Sequence, residues 1–230
     1  MSHTTAINQA HFNNLAAEYD TKFKAVLGNL ESQVKASADF IGVRQGDRLL
    51  DYACGTGLLS WSLGDHLSQC VGVDISESMV AVYNSKAKDK GFTPEERIAH
   101  VGSLIDESDA TCSGFPNLTS FDLAGVGLGF HHFDDCHLAA RRLIERLRPD
   151  GGIFFILDLV SHATSAEHCA AKGVKHQGFS ESQVREMFED AGAGKNFRFM
   201  IADEEVAFDH ADGEGGNKAR QVFFARGERV

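Results

Sequence analysis

Two glycines, two carboxylates and a pair of adjacent histidines are the residues of this 230-residue chain whose types and spacing invite chemistry. Gly55 and Gly57 follow the apolar stretch Leu49-Leu50-Asp51-Tyr52-Ala53-Cys54. Asp74 ends a second apolar stretch, Val71-Gly72-Val73-Asp74. A strand, a glycine turn, a helix and a strand ending in an acid form the layout of a nucleoside-binding βαβ unit, in which the acid accepts hydrogen bonds from a ribose diol. His131 and His132 lie farther on, where an imidazole can take a proton from a hydroxyl or thiol near neutral pH.

Two details separate this loop from a dinucleotide site. Ser60 stands where the third glycine of that fingerprint belongs, and Asp51 sits four residues before Gly55. A pyrophosphate favours bare backbone N–H groups at a helix N-terminus. A carboxylate beside the loop instead suits a ligand carrying positive charge. S-adenosylmethionine, with its ammonium and sulfonium, is the ligand these residues imply. Asp51 is expected either to orient the ammonium or to accept loop N–H groups, since an unpartnered buried acid is costly.

The same residues resemble class I S-adenosylmethionine-dependent methyltransferases. Leu-Asp-Tyr-Ala-Cys-Gly-Thr-Gly looks like their first motif, and Val-Gly-Val-Asp-Ile-Ser-Glu-Ser-Met, ending at Met79, their second. Phe121-Asp122-Leu123 running to His131-His132-Phe133 resembles their fourth strand, and Leu147-Arg148-Pro149-Asp150-Gly151-Gly152 the turn into their fifth. The match covers almost the whole chain, in the family's order, and is nearest the small-molecule branch that includes the ubiquinone and menaquinone methyltransferases. It implies a cofactor site made of Tyr19, Asp51, Ala53, Cys54, Gly55, Gly57, Asp74, Ile75, Met79, Ser103, Leu104, Val126 and Gly127. Ser103 is a departure, because the family often places there an acid that contacts the adenine amino group. The product would be S-adenosylhomocysteine. His131, His132 and His176 are the candidate bases, with His176 meeting substrate from a lid that also holds His162, His168 and Cys169.

The elements that must position these residues follow from periodicity. Phe12, Leu15, Ala16, Tyr19 and Phe23 recur at helical spacing, predicting one helix over 11–26 and a second over 30–40. Strands are expected at 48–53, 70–74, 98–101, 122–127 and 153–158, with helices opening near Gly57, Ser76 and Asp134. Ser180-Glu181-Ser182-Gln183 is a capping box. Residues 197–201 and 221–225 read as an antiparallel pair closing the sheet, 109–119 as a loop and 209–217 as a mobile connection. The fold expected is a Rossmann-like, doubly wound α/β domain over 1–230: a seven-stranded, mostly parallel sheet with a C-terminal antiparallel strand, the core over 43–230 and a helical cap over 1–42.

Composition narrows the rest. A net charge of −11 argues against a nucleic-acid partner, which needs clustered Lys and Arg. Residues 152–160 form the longest apolar stretch, too short to cross a bilayer, and the N-terminus begins no signal peptide. Five cysteines without a Cys-x-x-Cys pair suggest free thiols in a reducing cytoplasm. The histidine-rich run 131–137 lacks metal-ligand spacing, so no metal is expected. A monomer or homodimer acting on a small-molecule acceptor is expected, oxygen favoured over nitrogen, sulfur or carbon.

Four rivals stand beside this reading. A macromolecular methyltransferase acting on nucleic-acid amino groups would carry a Pro-Pro-aromatic element after the fourth strand, where this chain reads Gly129-Phe130-His131-His132. A NAD(P)-dependent oxidoreductase would keep the loop, but Tyr83 and Lys86 are three apart rather than four. A non-catalytic protein that retains the fold would keep the loop too. Arsenite methylation would require Cys112, Cys136 and Cys169 to converge.

Overall fold

Strand β1, Asp47–Tyr52, buries its last four residues in succession, so it is covered on both faces. A computed structural model describes residues 2–105, 118–161, 173–208 and 218–230. β2 (Leu67–Asp74), β3 (Arg97–Val101), β4 (Leu123–Gly127) and β5 (Ile153–Leu159) pair in parallel around β1. β6 (Lys195–Ile201) and β9 (Val222–Glu228) complete a seven-stranded sheet of order β3-β2-β1-β4-β5-β9-β6. β9 alone runs against the others and lies between β5 and β6. A separate hairpin, β7 (Val206–Phe208) with β8 (Lys218–Arg220), was not expected; residues 209–217 between them lie outside the described residues, as does most of the predicted loop 109–119.

Alternate strand residues feed two cores. Leu50, Ala124, Phe154 and Ile156 pack on helices α7 (Cys136–Ile144) and α8 (Glu181–Asp190). Leu49, Leu123, Phe155 and Leu157 pack on the opposite side with α3 (Lys24–Ala36), α4 (Ala38–Ile41) and α5 (Leu58–Ser62). α6 (Glu77–Asp89) lies against β3, with Val80 and Tyr83 on Cys54 and Ala99. The capping box at Ser180 forms as the sequence indicates, its hydroxyl on the Gln183 N–H and the Gln183 side chain on the Ser180 N–H. α7 is capped by Asp135, one residue later than expected.

The N-terminal helices depart from the prediction. The expected helix over 11–26 is divided among α1 (His3–Leu15), α2 (Tyr19–Lys22) and the start of α3. Ser2 caps α1, accepting the Thr5 N–H at 3.1 Å, so the helix begins eight residues early. The apolar stripe Phe12–Phe23 therefore bends across a break, which puts both Phe12 and Tyr19 over the carboxyl ends of the strands.

A cofactor cavity under the N-terminal helices

Every strand that contributes to the site does so at its carboxyl end, where an open α/β sheet leaves a crevice. After β1 the chain turns through Ala53 and Gly55, both with positive φ, then Gly57 at φ +102°. A Cβ on Gly57 would lie 2.2 Å from Trp61 Nε1, which donates to the Thr56 carbonyl at 2.7 Å. Gly57 thus belongs to the turn and to the start of α5; it does not line the cavity. A Cβ on Gly55 would meet nothing within 4 Å, so open space lies over that backbone.

Asp74 closes the turn from β2. Its Oδ2 accepts the Gly55 N–H and its Oδ1 the Ser76 N–H, each at 2.8 Å. Burial raises its pKa, and these backbone donors counter that rise. Ser76 caps α6 by accepting the Met79 N–H at 3.2 Å, which brings Ile75 and Met79 beside Asp74. Ser103 faces the same space, its hydroxyl 3.2 Å from that of Tyr52. The roof is α1: Gln9 donates to the Ile75 carbonyl at 2.9 Å, and Asn13 accepts the Ser76 hydroxyl at 2.7 Å. Asp20 accepts the Thr56 hydroxyl at 2.6 Å and pairs with Lys86 at 2.9 Å.

The cavity measures about 620 Å³ and is lined by Tyr19, Ala53, Cys54, Gly55, Asp74, Ile75, Met79, Ser103, Gly127 and His132 from the expected set. Sequence reasoning missed Asn8, Phe12, Tyr52, Thr56 and Phe133 on the same wall. Tyr52 was within reach, since it ends the strand that carries the glycine turn. Phe12 and Asn8 carried no signal, because they arrive on a helix remote in sequence.

Six expected residues do not line the cavity. Asp51 is turned into the protein, where its Oδ2 accepts the Ser60 hydroxyl at 2.7 Å and the Ser60 N–H at 3.1 Å. That is the internal alternative for this acid; burial raises its pKa to about 7. Leu104 and Val126 face the core under α7, and for Val126 strand alternation dictates this, since its neighbour Gly127 lines the cavity. Gly57 serves the turn. His176 donates from Nε2 to the Phe133 carbonyl at 3.1 Å and packs on Phe179. His131 is buried, its Nδ1 2.7 Å from Asp158 Oδ1. His162, His168, Cys169 and Cys112 lie outside the described residues. Among the described residues no three His, Cys, Asp or Glu side chains gather as metal ligands, and His137 turns to Asp190 at 3.4 Å.

His132 alone of the three histidines faces the cavity. Its Nδ1 lies 3.1 Å from the Gly173 carbonyl, an acceptor only, so Nδ1 carries the proton and Nε2 the lone pair. Burial, then the neighbouring His131, depresses its pKa to about 3, so the ring is neutral.

A glycine turn answering an acid at the end of the second strand, over a cavity rather than a phosphate cradle, fits an adenosyl ligand with its ribose on Asp74. A family model described as a methyltransferase domain matches residues 50–155. An uncharacterised methyltransferase of Schizosaccharomyces pombe is 30% identical over 197 residues, covering 81% of this chain and 68% of its own. The chain belongs to the class I S-adenosylmethionine-dependent methyltransferases. The ubiquinone/menaquinone C-methyltransferase UbiE of Teredinibacter turnerae is 32% identical over 150 residues, covering 63% of this methyltransferase and 57% of UbiE. Two solved structures share the fold: YcgJ of Bacillus subtilis (TM-score 0.67, 19% identity, 86% of this chain and 98% of that one) and magnesium protoporphyrin IX methyltransferase of Synechocystis with bound S-adenosylmethionine (TM-score 0.64, 14% identity, 100% and 99%). The methyltransferase uses S-adenosylmethionine as its cofactor, and the residues around Asp74 fit it.

Proposed function

We propose that this methyltransferase methylates a hydroxyl oxygen of an uncharged small molecule with an apolar body. The observation that carries the reading is His132: a neutral imidazole on the cavity wall, its Nδ1–H held by the Gly173 carbonyl and its Nε2 left as a hydrogen-bond acceptor. Among the described lining residues there is no Lys or Arg to receive a carboxylate or phosphate, whereas Phe12, Phe133, Leu128 and Leu138 supply apolar surface.

S-adenosylmethionine supplies, when bound, an electrophilic methyl group on a sulfonium. Asp74 would accept its ribose hydroxyls, Ile75 and Met79 would flank its adenine, and the Tyr52–Ser103 hydroxyl pair would meet the ring edge. Gly55 and Gly127 would pass close to the methionine portion, and Tyr19 would cover it. His132 Nε2 would accept a hydrogen bond from the substrate hydroxyl and so aim an oxygen lone pair. A phenol has a pKa of about 10, but its oxygen becomes strongly acidic once it carries a methyl group, so even a weakly basic imidazole then takes the proton.

Carbon is the second reading, favoured by the 32% identity to UbiE, itself named a C-methyltransferase. There the same His132 contact would orient a hydroxyl beside the reacting carbon. A monomer or homodimer of one domain acting in the cytoplasm is part of the proposal, and the net charge of −11 supports the absence of a nucleic-acid partner. No helix among the described residues is long and apolar enough to cross a membrane.

Release of S-adenosylhomocysteine, measured against matched panels of phenols, their carboxylated and phosphorylated analogues, amines and thiols, tests the reading. Turnover of neutral phenols above their anionic analogues is expected, with product mass spectra separating oxygen from carbon. Preferred turnover of amines, thiols or anionic acceptors would replace it. Calorimetry in which NAD alone binds would point to an oxidoreductase, and cofactor binding without turnover of any acceptor to a binding protein.

A further inference from the structure

We infer that Asp158, at the end of β5, is a positioning residue that acts through His131 and the strap 173–176 to hold His132 in its acceptor form. The inference rests on the role proposed for His132. Asp158 is fully buried, and its carboxylate accepts three hydrogen bonds: His131 Nδ1–H at 2.7 Å, the His131 backbone N–H at 3.2 Å and the Leu159 N–H at 2.7 Å. A buried carboxylate held by both the ring and the backbone of one residue fixes that residue in place. His131 then presents its carbonyl to the strap, accepting the Lys175 N–H at 2.9 Å and the His176 N–H at 3.1 Å.

The strap returns the contact to the cavity. Gly173, at φ +65°, turns its carbonyl to both His132 Nδ1 at 3.1 Å and Asn8 Nδ2 at 3.4 Å. A Cβ at Gly173 would stand 2.0 Å from Asn8 Oδ1, so glycine is what allows this approach. A continuous chain of contacts thus runs from the β5 carboxylate to the imidazole that faces the cavity. Asp158 touches neither cofactor nor substrate; it determines which nitrogen of His132 is free.

Long-range proton–nitrogen NMR on the wild type saturated with S-adenosylhomocysteine reads the His132 tautomer without any acceptor. The wild type is expected to show Nδ1–H alone; Nε2–H there would overturn the inference before any variant is made. In Asp158→Asn the amide cannot accept all three donors, and its NH2 group faces one of them. His132 is then expected to populate both tautomers, and turnover of the best phenol in the panel to fall about tenfold or more at unchanged S-adenosylhomocysteine affinity. A single Nδ1–H tautomer retained in the variant, or a parallel loss of S-adenosylhomocysteine affinity, would reduce Asp158 to a fold residue. Failure of every phenol in the wild type would count against the proposed acceptor and leave the tautomer measurement to decide on Asp158.

Discussion

The carbonyl of Gly173 accepts a hydrogen bond from Nδ1–H of His132, 41 positions away in sequence, at 3.1 Å. This one contact decides what the imidazole offers. A ring that gives Nδ1–H to the protein offers only a lone pair to the cavity. Its pKa of about 3, set first by burial and then by His131, keeps it uncharged in neutral solution.

His132→Ala should therefore lower turnover about a hundredfold at unchanged affinity for S-adenosylhomocysteine. The rate should show no inflection from His132 between about pH 5 and 8, because the ring stays neutral across that range. For stability the sign is opposite to that of a salt-bridged histidine. The unfolded ring binds a proton below its ordinary 6.5, the folded ring only near 3, so the stability that the neutral ring contributes is lost as pH falls from 6.5 towards 3. His132→Gln should flatten that acid limb in thermal melts, and an unchanged limb would contradict the neutral-ring account.

Asp74 serves the turn and the ligand together. Asp74→Ala should weaken S-adenosylhomocysteine binding about 10- to 100-fold, the scale of a lost hydrogen bond to a charged group, and lower the melting temperature because the Gly55 and Ser76 N–H groups lose their acceptor. The two loop glycines should separate these effects. Both alanines would meet the strain of a positive φ, but Gly55→Ala places its Cβ into open space and should cost affinity as well as some stability, whereas Gly57→Ala also collides with Trp61 and should cost the more stability of the two. Calorimetry and melting curves on both variants read the difference; equal profiles would refute it.

Asp51 makes a pH-dependent contribution of the other sign. Its folded pKa of about 7 exceeds the unfolded 3.8, so between those values the folded state binds the extra proton and stability falls as pH rises. The shift sets an upper bound of about 4 kcal/mol above pH 7. Asp51→Asn keeps an acceptor for the Ser60 hydroxyl and N–H while removing the charge. Its melting temperature relative to wild type should rise between about pH 4 and pH 8. A difference that does not change with pH would show that Asp51 remains protonated or is solvated.

The glycine turn, Asp74 and the capping box were legible because each is local: a strand end, a positive-φ turn and an N-cap declare themselves within a few residues. The parallel sheet was legible from the alternation of apolar runs with helical segments. Which histidine faces the cavity was not. Phe130–His132 forms a single 3₁₀ turn, in which successive side chains point about 120° apart, so His131 enters the interior while its neighbour does not. Val126 and Gly127 diverge for the equivalent reason in a strand. Asp158 was hidden by its setting, an acid inside an apolar run whose partner lies 27 positions away. α1 was misplaced because its buried side chains include Thr4 and Asn8, which carry no hydrophobic period.

Tyr19 tests whether the roof holds the cofactor by shape or by its hydroxyl. Burial, then Asp20 and Asp74, raise its pKa to about 12, so the phenol stays protonated at every working pH. Its ring packs on Phe23 with centroids 5.0 Å apart and lines the cavity. If apolar cover is the main contribution, Tyr19→Phe should retain S-adenosylmethionine affinity within about threefold, while Tyr19→Ala, removing a half-buried ring whose full burial would be worth about 1.5–3 kcal/mol, should lose about tenfold. The loss should fall mostly on the dissociation rate, since a cover slows escape more than encounter. Stopped-flow measurement of both rates would settle the matter, and a Phe variant as weak as the Ala variant would assign the contact to the hydroxyl instead.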